Sequence, residues 1–126
     1  MSTPKRIDTD KAPAAVGPYS QALAGAGLVY TSGQLPINPA TKTMPDDIKE
    51  QTATSLNNVK AILEEAGSGL DKVLKVTVFL ADIADFSAVN EVYKTYFKEP
   101  FPARSCFAVK DLPLGAKIEI EVVALA

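Results

Sequence analysis

DIKEQTATSLNNVKAILEEAG, residues 47–67, carries the period on which the fold is read. Ile48, Leu56, Val59, Ile62, Leu63 and Ala66 fall on one stripe at helical spacing, so the segment predicts an amphipathic helix. Asp47 and Glu50 have the spacing of a capping box, and Gly67 stands at the C′ position. Downstream, a second helical period begins after Asp85. Phe86, Val89, Tyr93 and Phe97 share a stripe with Asn90, a polar residue on a buried face, and Glu99 and Pro100 close the segment.

Working outward, strand signals fill the remainder: LVYTS (28–32), VLKVTVFLA (73–81), ARSCFAV (103–109) and KIEIEVVAL (117–125), each bounded by Gly, Pro or Asp. A weaker one, YSQAL (19–23), joins LVYTS through the AGAG turn as a hairpin. The order is strands, helix, strand, helix, strands, an α+β layout with helices covering one face of a mixed sheet. Pro and Gly are spread as punctuation, with no repeat or linker, so residues 1–126 read as a single domain.

Composition removes whole classes of chemistry. The 126 residues carry 13 Lys and Arg against 15 Asp and Glu, a formal charge of −2 with no like-charge block, which argues against a broad grip on nucleic acid or an anionic membrane. The chain has no histidine, so Ser/His/Asp and Cys/His nucleophile pairs, His-ligated zinc and imidazole proton transfer are all excluded. Carboxylate, lysine, tyrosine and water remain for proton transfer. The single cysteine, Cys106, makes neither an internal disulfide nor a CxxC pair and fits a reducing compartment. MSTPKRIDTD resembles neither a secretory signal nor a transit peptide, and no window approaches a membrane span. The expectation is a soluble cytoplasmic protein, with mitochondrial import left open.

In the last strand Ile118, Ile120 and Val122 point to one face while Lys117, Glu119 and Glu121 point to the other. In ARSCFAV the same alternation places Phe107 and Val109 on one side and Arg104, Cys106 and Ala108 on the other. If the polar sides coincide, Arg104, Cys106, Glu119 and Glu121 share one sheet face.

Arg104 follows Pro102 and Ala103 at a strand entrance, where its planar fork suits a carboxylate; the competing reading is a structural ion pair with Glu119 or Glu121. Glu119 and Glu121 alternate with isoleucine. Partial desolvation at a subunit surface would raise their pKa toward the range of a general base or acid, and outward solvated positions are the alternative. Cys106 has no base beside it in sequence chemistry and reads as pocket lining or core. Asn90 reads as a capping or interface amide, Tyr19 as an amphipathic packing residue, and Ser32 and Gly33 as a strand end where backbone approaches closely.

Taken together, APAAVGPYSQA (12–22), VYTSGQLPINP (29–39), LNNVKAILEEAGSGLDKVLKVTVFLADIADFSAVNEVY (56–93), FPARSC (101–106) and LPLGAKIEIEVVA (112–124) resemble the RidA (YjgF) family. The resemblance covers about nine tenths of the chain in the family order. It implies a chorismate mutase-like mixed sheet with two helices on one face, three copies closing a trimeric barrel. It further implies hydrolysis of reactive 2-imino acids and their enamine tautomers (2-iminobutanoate, 2-iminopropanoate) to 2-oxo acids and ammonia, as a deaminase without cofactor or metal. By motif, the carboxylate-binding arginine falls on Arg104, the pocket cysteine on Cys106 and the acidic residue of the last strand on Glu119. Tyr19, Ser32, Gly33 and Asn90 fall on the remaining pocket positions. Two other functions stay open at this point: an RNA-directed endoribonuclease or translation inhibitor, and a non-catalytic trimer that binds small ligands.

Overall fold

A computed structural model describes residues 3–126; Met1 and Ser2, where both the domain span and the leader reading begin, lie outside the described residues. Six strands form one sheet: β1 (Lys5–Ile7), β2 (Ala22–Gly25), β3 (Leu28–Thr31), β4 (Val73–Leu80), β5 (Ala103–Ala108) and β6 (Ile118–Leu125). Their spatial order is β1-β2-β3-β6-β4-β5. All neighbours are antiparallel except β4 and β5, which run parallel because helix α2 (Phe86–Tyr96) carries the chain back between them. The sheet is therefore mixed, as expected from the sequence.

Helix α1 (Ile48–Glu65) starts where Asp47 accepts hydrogen bonds from the Lys49 and Glu50 amides, both 3.1 Å, through its carboxylate. That cap satisfies two of the amides a helix start leaves free. It stops at Ala66, and Gly67 takes φ +79°, a left-handed conformation that a side chain would strain. Leu56, Val59, Ile62 and Leu63 are fully buried against Val29, Val76, Val78, Ile120 and Val122 of the sheet. Removing each such side chain from water contributes roughly 1.5–3 kcal/mol. Val89, Tyr93 and Phe97 of the α2 segment join the same core, so both helices cover one face.

Several boundaries differ from the expected ones. The hairpin strand is Ala22–Gly25 rather than 19–23, because Ala24 and Gly25 pair with Val29 and Leu28, leaving Ala26 and Gly27 as a two-residue turn with φ +53° and +79°. Such a turn matches the twist of the flanking strands. Helix α2 ends at Tyr96, before Glu99 and Pro100. Strand β1 was not foreseen: three residues, Lys5–Ile7, with two of them exposed offer no alternation to read.

The sheet's other face is left open. On it the register aligns Leu23 with Tyr30 and Tyr30 with Val123, and Phe107 with Phe79 and Phe79 with Glu119. Phe79 and Phe107 meet edge to face, ring centroids 5.4 Å apart. Leu23, Tyr30 and Phe107 are each more than two fifths exposed, so this face is substantially apolar and uncovered in one chain.

Candidate functional site

Arg104 does not share a face with Glu119. Its register partner on β4 is Val76, fully buried beneath the helices, whereas Glu119 pairs with Phe79 of the opposite parity. Among the described residues, the hydrogen-bond and cation–π partners of Arg104 all lie on α2. Its Nη1 donates to Oδ1 of Asn90 at 2.8 Å, and its Cζ stands 4.7 Å from the Tyr93 ring centroid and 5.5 Å from that of Phe86. The expected grouping of Arg104 and Cys106 with Glu119 and Glu121 on one face is thereby corrected, and so is a structural ion pair between them. The reason is local: α2 offers the arginine an amide and two aromatic faces, while apolar Phe107 turns to the open side.

Cys106, two residues along β5, points to the same side as Arg104 and packs against the core. Burial pushes its thiol pKa up, and Arg104 offsets this only in part. Both the burial and the absence of a neighbouring base favour the protonated thiol, a poor nucleophile. Asn90, Arg104 and Cys106 make one cluster.

A second cluster gathers around Glu119. Gln34 and Ile120 exchange backbone hydrogen bonds of 2.7 and 3.2 Å, which runs the segment through Ser32 and Gly33 alongside β6. A Cβ on Gly33 would lie 2.8 Å from Cδ of Glu119 and nearer still to Oε2, so the carboxylate occupies space that only glycine leaves free. Ser32 donates through Oγ to the Ser20 carbonyl at 2.6 Å, and its amide donates to the Gln21 carbonyl at 2.9 Å. These bonds fix the strand end against the segment holding Tyr19, whose ring is half exposed. Burial, and then the charge of Glu121, hold the Glu119 pKa above the ordinary carboxylate value.

A cleft of about 800 Å³ opens elsewhere, beyond the C-terminal ends of the two helices, and contains neither Arg104 nor Glu119. Among the described residues no cluster of three His, Cys, Asp or Glu side chains has metal-binding geometry. None of their helices is long and apolar enough to cross a membrane.

The family model described as Endoribonuclease L-PSP matches residues 9–126. The chain belongs to this family, the RidA (YjgF) family. It is similar to the 2-iminobutanoate/2-iminopropanoate deaminase of Escherichia coli K12, 48% identical over 124 residues that span 96% of this chain and 97% of that protein. Among solved structures, a Rid family protein from Yersinia pestis superposes with TM-score 0.96 at 47% identity, covering 98% of this chain and 100% of that one. The structure of E. coli TdcF with bound serine superposes with TM-score 0.93 at 45% identity, covering 97% and 98%.

Within this RidA-family chain, two side chains at the site escaped the sequence reading of function: Phe86 and Tyr93 were read only as a packing stripe. Their spacing around Asn90, at 86, 90 and 93, was the available signal, because residues three and four apart share a helix face and an aromatic face can hold a cation.

Proposed function

We propose that this protein is a 2-imino acid deaminase, hydrolysing 2-iminobutanoate and 2-iminopropanoate to the 2-oxo acids and ammonia, at sites assembled between chains. The observation that carries the reading is the environment of Arg104: a partly buried guanidinium held by an amide and two rings, with no acidic partner within ion-pair distance among the described residues. A cation held but not neutralised is suited to a carboxylate, which it can grip through two parallel N–H bonds.

Arg104 clamps the substrate carboxylate, with Asn90 fixing the fork and Cys106 lining the floor. Glu119 orients a water molecule toward the imine carbon; its raised pKa suits it both to accept a proton from that water and to pass one to the departing ammonia. A protonated imine is already electrophilic, so positioning supplies most of the rate and no covalent intermediate with the protein forms. Ser32 and Gly33 shape the wall beside Glu119, and Tyr19 covers it.

Arg104 and Glu119 lie on opposite faces of one sheet, so a site that uses both takes them from two copies. The uncovered apolar face supports a homotrimer, three sheets closing a barrel over Leu23, Tyr30 and Phe107. The reading places the protein in the cytoplasm as a single-domain subunit. RNA cleavage, the activity in the family description, is not assigned: the chain has no histidine for proton transfer and a net charge of −2.

The test is turnover. An amino acid oxidase generates the imine in solution and semicarbazide traps what survives. Faster loss of imine with the protein than without it supports the deaminase; identical rates, with 2-oxobutanoate still bound, would leave a non-catalytic ligand binder.

A further inference from the structure

Tyr93 is buried, and its hydroxyl has no hydrogen-bond partner among the described residues. Leaving a buried phenol unpaired is unfavourable, and phenylalanine would fill the same space without that cost. The hydroxyl of Tyr93 makes no contact among the described residues that would hold a neighbour in place. Its ring does more: one side faces the Arg104 guanidinium, with Cζ 4.7 Å from the centroid, and the Phe97 ring packs against it at 4.7 Å and 35°. Phe97 is itself buried in the core, so the stack Phe97–Tyr93–Arg104 ties the arginine to the rigid part of the fold.

The chemistry of the support matters. A carboxylate beside Arg104 would fix it equally well but would compete with an anionic substrate for its charge and its N–H groups. An aromatic face holds a cation through the ring quadrupole while the N–H bonds, which lie in the guanidinium plane, stay directed outward at its edge. One of them goes to Asn90, and the rest have no partner among the described residues. Phe86 contributes from the start of α2, but it is over a third exposed and has less packing to hold it.

We propose that Tyr93 is a positioning residue for the carboxylate site: its ring, seated on Phe97, holds the Arg104 guanidinium aimed at substrate without neutralising it. The inference rests on the reading of Arg104 as the carboxylate anchor. Because the carboxylate is not the reacting group, loosening the anchor weakens ground state and transition state alike.

The experiment compares Tyr93→Leu, Tyr93→Met and Tyr93→Phe in the full chain. Calorimetric titration with 2-oxobutanoate, imine kinetics and thermal melts are run on each. Tyr93→Leu raises Kd and KM about 10-fold with kcat within about twofold, the pattern of lost uniform binding. Tyr93→Met, a flexible side chain that adapts to the space without a ring, does the same and decides the matter if the leucine variant does not fold. Tyr93→Phe retains wild-type Kd and KM and melts no lower. Adding Tyr93→Leu to Arg104→Lys raises Kd by less than it does in the wild-type background, because the two side chains act as one unit. Lower melting with unchanged Kd and KM in the leucine and methionine variants overturns the proposal, as does a Tyr93→Phe protein as impaired as Tyr93→Leu. Arg104→Ala separates the two levels: if it still binds 2-oxobutanoate the anchor reading itself falls, whereas lost binding there beside unaffected Tyr93 variants removes only the role of Tyr93.

Discussion

The carboxylate of Glu119 sits in the space where residue 33 would carry a side chain, with Cδ 2.8 Å from the position of a Cβ on Gly33. Because Gln34 donates its N–H to the Ile120 carbonyl and accepts from the Ile120 N–H, the backbone beside Gly33 is held to β6, and the glycine sets where the acid stands. This pairing joins a strand end to the neighbouring strand.

Gly33→Ala is accordingly expected to displace the Glu119 carboxylate while leaving the fold intact, since the clashing atoms end a flexible side chain. Turnover should fall by about 10²-fold, the scale of a mispositioned acid/base. Kinetics beside a thermal melt check this; an alanine variant with wild-type kcat would mean that the position of Glu119 is not critical.

Arg104→Ala is expected to abolish imine hydrolysis and 2-oxobutanoate binding together. Arg104→Lys should retain weak binding, because a point charge replaces a planar fork that cannot be reproduced in the Asn90 and Tyr93 setting. Titration calorimetry reads both variants. Unlike an arginine locked in a salt bridge, this one leaves no buried acid uncompensated when removed, so the alanine variant should fold.

The pH dependence follows from Glu119. Burial and Glu121 both disfavour its charged form, so the acidic limb of kcat/KM should lie above the ordinary carboxylate range, and Glu121→Gln should move it down. The stability sign is the reverse of the usual acidic case. With the folded pKa raised, the folded chain binds the proton more tightly, so stability falls as pH rises from the ordinary value through the folded one. Glu119→Gln should therefore melt no lower than wild type at neutral pH while kcat drops about 10²-fold or more and product binding persists. Melts and kinetics across about pH 4 to 9 test these signs.

How much of this was legible in the sequence depends on what periodicity encodes. The α1 stripe and the Ile118, Ile120, Val122 alternation each determine a buried face from spacing alone, and all of these residues except Ile48 and Ala66 are fully or nearly fully buried. Alternation within β5 also held, but spacing does not say which side a helix covers. There Arg104 lies beneath α2 and Phe107 faces outward, against the simple rule that polar side chains seek the open face. Asn90 on a buried stripe carried the missing information, since an amide there needs a partner and Arg104 is that partner. The Gly33–Glu119 contact joins residues 86 apart in sequence, and no local pattern announces it.

The open face makes its own prediction. Phe107→Glu or Tyr30→Glu places charge on the apolar surface proposed to close the trimer, and should shift the mass by light scattering from about three times 13.4 kDa toward a single chain. Activity should vanish with the assembly. A fully active monomer would contradict the placement of the site between chains.

The most direct test of that placement is to co-express Arg104→Ala and Glu119→Gln chains in equal amounts. Each variant alone is expected to be inactive. If every site takes Arg104 from one chain and Glu119 from another, random assembly pairs an intact arginine with an intact glutamate in about a quarter of the sites, so about a quarter of wild-type turnover returns. If one chain supplied both residues, no site in the mixture would be whole and activity would stay at the background of the separate variants.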